Sequence, residues 1–108
     1  MAIHLPKVIE LYIAAVNSNN TDALAAGFAA DATVHDEGRT HEGTAAITKW
    51  MAETKAKYGH TIEPIDAVAR DDRTIVTARL TGSFPGSPVR LEFVFELEDN
   101  RIKSLTIH

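Results

Sequence analysis

Cysteine is absent from this 108-residue chain. Disulfide staples, thiolate nucleophiles and Cys-ligated zinc are therefore excluded. Packing alone must hold the fold, and a cytoplasmic setting is expected. Long apolar runs are missing as well. None approaches the ~20 residues that span a bilayer, so no membrane partner is expected. The stretch Met1–Pro6 has no basic segment followed by an apolar one, and reads as no signal peptide. Lys and Arg are scattered without a dense basic stripe, and the formal net charge is −4. That balance argues against a nucleic-acid partner. Internal repeats, low-complexity tracts and Pro/Ser-rich linkers are missing too. Neither a G-x-G-x-x-G nor a P-loop occurs, and Ser83 and Ser87 lie outside any G-x-S-x-G context.

What is present is an ordinary globular composition, 44% apolar. The length suits one domain over residues 1–108, burying roughly two-thirds of the surface of its unfolded chain. Pro6 suits a helix start. Val8, Ile9, Tyr12, Ile13 and Val16 then recur at helical spacing. Thr21 reads as the N-cap of a second short helix carrying Leu24 and Phe28. Residues 33–36 read as a short strand, followed by a turn at Glu37-Gly38. Gly43-Thr44 opens a third helix with Ile47, Trp50, Met51, Thr54 and Tyr58 on one stripe. Gly59 is its natural stop. Beyond it the period changes to two. Strands are predicted over 61–69, 74–81, 89–97 and 101–107, with Gly82–Pro88 as a loop. Helices first and an antiparallel meander second give an α+β order.

Two side chains stand out chemically. Strand alternation puts Asp36 on the same face as Val34, the apolar and inward one. An isolated carboxylate at a strand end is commonly a solvated turn residue. Facing inward, its charged form is disfavoured and its pKa rises toward that of a working general base. Tyr12 lies on the inner face of the first helix. It is either core with a satisfied hydroxyl or a donor toward a developing oxyanion. Trp50 reads as core or pocket wall. His35 and His41, with Asp36 and Glu42, border one turn, but neighbouring strand residues face opposite sides, so no metal site is expected. Arg79 reads as an outer-face residue.

Several of these segments carry a family resemblance. Val8-Ile-Glu-Leu-Tyr12-Ile-Ala-Ala-Val16, Asp31-Ala-Thr-Val-His-Asp36 and Gly43-Thr-Ala-Ala-Ile47 resemble the first helix with its oxyanion-hole tyrosine, the strand with the catalytic aspartate and the third helix start of ketosteroid isomerase. The order of elements resembles the NTF2-like superfamily, which also holds the SnoaL-like cyclases. The resemblance implies an NTF2-like α+β cone: three N-terminal helices packed against a curved, mainly antiparallel sheet. It implies a pocket walled by Phe28, Val34, Trp50, Phe93 and Phe95, with Asp36 as base and Tyr12 as oxyanion donor. It also implies a homodimer through the outer sheet face, where Val94 interrupts the charged residues. The isomerase's second acid is replaced here by Phe93, and no strand Arg-x-Asp of the limonene-epoxide-hydrolase type is present. The expected function is a small enzyme without cofactor, acting by proton transfer on an apolar carbonyl compound as an isomerase, cyclase or dehydratase. The alternatives are a pocket that only binds a hydrophobic ligand, or a structural association domain. Fold alone does not choose among them.

Overall fold

The computed structural model describes residues 5–108. The signal-peptide reading therefore falls mostly on positions outside the described residues, 1–4. Three helices, α1 (Lys7–Ser18), α2 (Thr21–Ala26) and α3 (Thr44–Tyr58), pack against one six-stranded sheet. Its strands are β1 (Phe28–Asp36), β2 (Arg39–Glu42), β3 (Thr61–Arg70), β4 (Arg73–Thr81), β5 (Val89–Glu98) and β6 (Arg101–Ile107). The strand order is β2-β1-β6-β5-β4-β3. Among the described residues only β1 and β6 run parallel; every other pairing is antiparallel. The sheet is curved and not closed, the expected α+β cone. No helix among the described residues is long and apolar enough to cross a membrane.

Local chemistry accounts for most boundaries. Pro6 is the N-cap of α1, and Asn19 in the left-handed region closes it. The cap of α2 is Asn20, not Thr21: its side chain accepts from the Ala23 N–H at 3.1 Å. A carboxamide one residue earlier reaches the free N–H groups of the first turn. Gly59, φ 56°, ends α3.

The first strand corrects the expectation most. It begins at Phe28, so Phe28 belongs to β1 and not to α2. Alanine-rich residues 29–32 have weak strand propensity. Pairing with β6 overrides it, with a register irregularity between Phe28 and Thr33. The short strand β2 was not expected at all. Arg39-Thr-His-Glu42 carries no apolar alternation, and only its pairing with β1 makes it a strand. Glu37 and Gly38 both have positive φ, 52° and 74°, the backbone of a tight two-residue hairpin.

Parity builds the core. Val76 and Ala78 of β4, Phe93 and Phe95 of β5, Leu105 of β6, and Ala32 and Val34 of β1 are buried against the helices. Ile9, Tyr12, Ile13 and Val16 of α1 and Ile47, Trp50 and Met51 of α3 meet them. Asn17 ties α1 to the edge strand: its amide donates to the Ile62 carbonyl at 2.9 Å and accepts from the Ile62 N–H at 2.7 Å. On the outer face Arg79 pairs with Glu63 at 3.3 Å and Arg73 with Glu96 at 3.5 Å. Such exposed pairs add little. Phe95 is fully enclosed, so Phe95→Ala should cost about 3–5 kcal/mol, measured by urea denaturation; a loss below ~1 kcal/mol would mean the sheet–helix core is packed otherwise.

Candidate active site

The helices fill only part of the concave side. At the remaining end lies a cavity of about 360 Å³. Its floor is the inward row of the sheet: Leu80 of β4, Val89, Leu91 and Phe93 of β5, and Ile107 of β6. Helix α3 supplies Trp50, Thr54 and Tyr58, and α1 supplies Tyr12. Asp36 stands at the end of β1, followed by Glu37 in the turn. A larger open groove, about 700 Å³, lies between α1, α2 and the β5–β6 hairpin, bordered by turn residues such as Asp99 and Asn100. Chemistry rather than size distinguishes the first.

Asp36 and Tyr12 therefore border one cavity. The Trp50 indole N–H donates to Asp36 Oδ2 at 3.0 Å, fixing the carboxylate against α3. Burial pushes the Asp36 carboxyl above its ordinary range; the Trp50 bond opposes this, and the neighbouring Glu37 charge adds to it. The net shift is upward. The Tyr12 ring is clamped edge-on by Phe28, centroids 6.0 Å apart, and by Phe95 at 5.5 Å. Burial holds its phenol strongly in the protonated, donating form, and the Asp36 charge adds to that.

The remaining expected wall residues divide. Trp50 and Phe93 line the cavity. Phe28, Val34 and Phe95 do not; they are buried behind it, at 3%, 0% and 0% exposure. Phe28 and Phe95 brace Tyr12, and Phe95 stacks on Phe93 at 6.4 Å. Tyr12 of α1 covers Phe28 and Phe95, and α3 packs on β1. His35 turns away from the cavity and bonds Thr40 at 3.0 Å. His41 lies 5.9 Å from the Trp50 ring. Among the described residues no three His, Asp or Glu side chains converge as metal ligands.

Three contributors escaped the sequence reading. Tyr58 was legible on the α3 stripe, but its partner was not: its hydroxyl donates to Glu37 Oε1 at 2.6 Å, and both residues line the cavity. The loop after β4 brings Phe84 and Pro85 onto the cavity. It is pinned by the Ser83 N–H on the Tyr58 carbonyl at 2.8 Å. Gly82 permits this approach, because a Cβ there would meet the Tyr58 oxygen at 2.6 Å and His60 Cα at 3.0 Å. The third is His60, 5% exposed, which lines the cavity. Its Nδ1 is enclosed without a hydrogen-bond partner among the described residues. An orphaned buried polar group costs about 1–3 kcal/mol. Burial and the nearby Lys55 charge lower its pKa and favour the neutral ring. No motif marks it; it simply follows the glycine that ends α3.

Residues 9–105 match the SnoaL-like domain family. The chain belongs to that family. A Sinorhizobium meliloti protein described as a candidate polyketide cyclase is 40% identical, covering 96% of this chain and 95% of that one, with a TM-score of 0.94. A Catenulispora acidiphila protein with a ketosteroid isomerase-like fold, solved with trimethylamine, is 25% identical over 97% and 86%, TM-score 0.85. A Xanthomonas campestris protein, also described as a candidate polyketide cyclase, shares the fold at 21% identity over 93% and 85%, TM-score 0.80. No curated protein matches the sequence. This SnoaL-like chain thus has the NTF2-like architecture that its first fifty residues resemble.

Two measurements follow from the geometry. The folded Asp36 pKa lies above the unfolded value near 3.8. The native state therefore holds a proton that the unfolded chain has lost, and stability falls as pH rises from about 3.8 through the folded value. Asp36→Asn should stabilise the free protein at neutral pH, with the gain vanishing at acid pH; equal effects at both, by thermal melts, would place Asp36 in bulk water. Gly82→Ala should cost about 1–3 kcal/mol by overpacking and loosen the Phe84 segment, read from Tm and Phe84 NMR line shapes; an unchanged Tm would show that the loop is not held against Tyr58.

Proposed function

We propose that this SnoaL-like protein is a small enzyme without cofactor, acting by proton transfer on an apolar, carbonyl-bearing molecule. The observation carrying this reading is that one cavity has both Asp36 and Tyr12 on its walls. Asp36 would take the proton from the carbon next to the carbonyl. The C–H electron pair becomes the enolate double bond, and negative charge moves to oxygen. Tyr12 would donate a hydrogen bond to that oxygen as the charge develops. Protonated Asp36 then returns its proton to another carbon, or to a departing hydroxyl group. Its raised pKa suits both directions. Trp50, through Asp36 Oδ2, would act as a positioning residue. The cavity wall is mainly apolar and carries no Lys or Arg, which favours uncharged substrates. Phe93, where the isomerase carries its second acid, leaves Tyr12 as the principal donor. The homodimer and a cytoplasmic setting belong to the same proposal.

A second reading has its own support. Asp36 also borders a small polar recess of about 140 Å³ shared with Arg39 and Lys57. A carboxylate wetted from that side suits a site that binds a hydrophobic ligand without chemistry.

Phenols of graded acidity separate the two, because a phenolate mimics an enolate in shape and charge. Calorimetry should show micromolar binding that weakens in Tyr12→Phe. Binding indifferent to Tyr12 would remove the oxyanion site and leave the binding reading. Once a substrate is found, Tyr12→Phe should lower turnover by about 10²–10³. Asp36→Asn turning over the same substrate at the wild-type rate would end the catalytic reading.

A further inference from the structure

The turn that follows Asp36 uses a residue its backbone does not favour. Asp36 pairs with Arg39, so the hairpin closes on two residues, Glu37 and Gly38, with φ 52° and 74°. Such a turn wants positive φ at both positions, and Asn, Asp and Gly supply it most cheaply. Among the described residues the other positive-φ positions hold Asn19, Asp71, Asp99, Asn100 and glycines. Glu37 is the exception. A longer side chain without a short polar arm enters the left-handed region only against backbone strain.

That side chain is engaged. The Tyr58 hydroxyl donates to Glu37 Oε1 at 2.6 Å, the short length of a bond to a charged acceptor. Tyr58 is fixed in turn: its carbonyl accepts from the Ser83 N–H at 2.8 Å, and its ring meets Phe84 edge-on at 5.6 Å. Asp36, Glu37, Trp50, Thr54 and Tyr58 border both the cavity and the small polar recess. The bond between Tyr58 and Glu37 thus joins two residues of the wall common to both, one position along the chain from the base.

We infer that Glu37 and Tyr58 are positioning residues for Asp36: the Tyr58 hydroxyl holds the Glu37 carboxylate beside the base, so that Asp36 works next to a fixed negative charge. A neighbouring like charge disfavours the ionised carboxyl and makes it the stronger base. Burial is the larger cause of the raised Asp36 pKa, and the Glu37 charge adds to it. Trp50, His41 and the Glu37 main-chain N–H act the other way. Arg39 of β2 and Glu53 and Lys57 of α3 share the recess with Asp36, and Tyr12 of α1 shares the cavity. The inference rests on Asp36 being the base, and it names the pair that tunes it.

The measurement is the pH titration of the Asp36 carboxyl carbon by ¹³C NMR, assigned with Asp36→Asn. Wild type should titrate above the ordinary carboxylate range. Glu37→Gln keeps the length and an acceptor for Tyr58 but removes the charge, and its Asp36 midpoint should move to lower pH. Glu37→Asn suits the turn better, so it should melt no lower than wild type while its Asp36 midpoint also falls. Tyr58→Phe keeps the ring and releases Glu37, and should lower the midpoint by less than Glu37→Gln. Added to Glu37→Gln, it should lower the midpoint no further, because Tyr58 acts through that charge. A midpoint unmoved in Glu37→Gln, or lowered by Tyr58→Phe equally with and without the Glu37 charge, would overturn the inference. A Glu37→Asn protein that melts lower while Asp36 titrates as in wild type would mark Glu37 as structural and overturn it too. A raised midpoint indifferent to Glu37 would remove this inference alone. A wild-type midpoint in the ordinary range would remove the tuned base itself.

Discussion

Successive side chains of a strand leave opposite faces of the sheet, so the parity of β1 carries Ala32, Val34 and Asp36 together to the concave side. The first two are fully enclosed by the helices. The third lies where helix cover runs out, and it meets the cavity instead. The same alternation brings Leu80, Leu91, Phe93 and Ile107 to the floor from three other strands. A slip of one residue in β1 would put His35 inward and Asp36 into solvent. The cavity and its carboxylate are thus consequences of register, and register is held by the Glu37-Gly38 turn on one side and the parallel pairing with β6 on the other.

Around that frame aromatic packing and hydrogen bonds hold the named parts of the site. Phe28 and Phe95 close edge-on against the Tyr12 ring. Asp36 is tied to Trp50. Tyr58 bridges to Glu37, and the following loop is sewn to the Tyr58 carbonyl. Preorganised donors are worth more than donors that must be arranged during reaction. What the arrangement costs is desolvation: the Asp36 carboxylate is partly buried, and burial pushes its pKa upward.

Much of this was legible in the chain. Tyr12 sits at helical spacing among Ile9, Ile13 and Val16, and Asp36 shares parity with Val34; both statements need only local periodicity. The α3 stripe and its glycine stop were equally readable. Phe28 was not, because its alanine-rich neighbours give no strand signal and a distant strand decides its conformation. Nor was β2, whose four polar residues become a strand only through a partner. Phe28, Val34 and Phe95 were expected on the pocket wall, but parity says inward and does not say how far a helix covers what points inward.

By itself the sequence determined the three helices, the later strands, their apolar faces and the fold family, because propensity, capping and period act between residues a few positions apart. Tertiary structure alone decided that the helices stop short of filling the cone. It also set Trp50 on Asp36 and Tyr58 on Glu37, and it enclosed the His60 Nδ1 with no hydrogen-bond partner among the described residues. Those features depend on closing distant segments onto one another, and no local pattern encodes the space left when they meet.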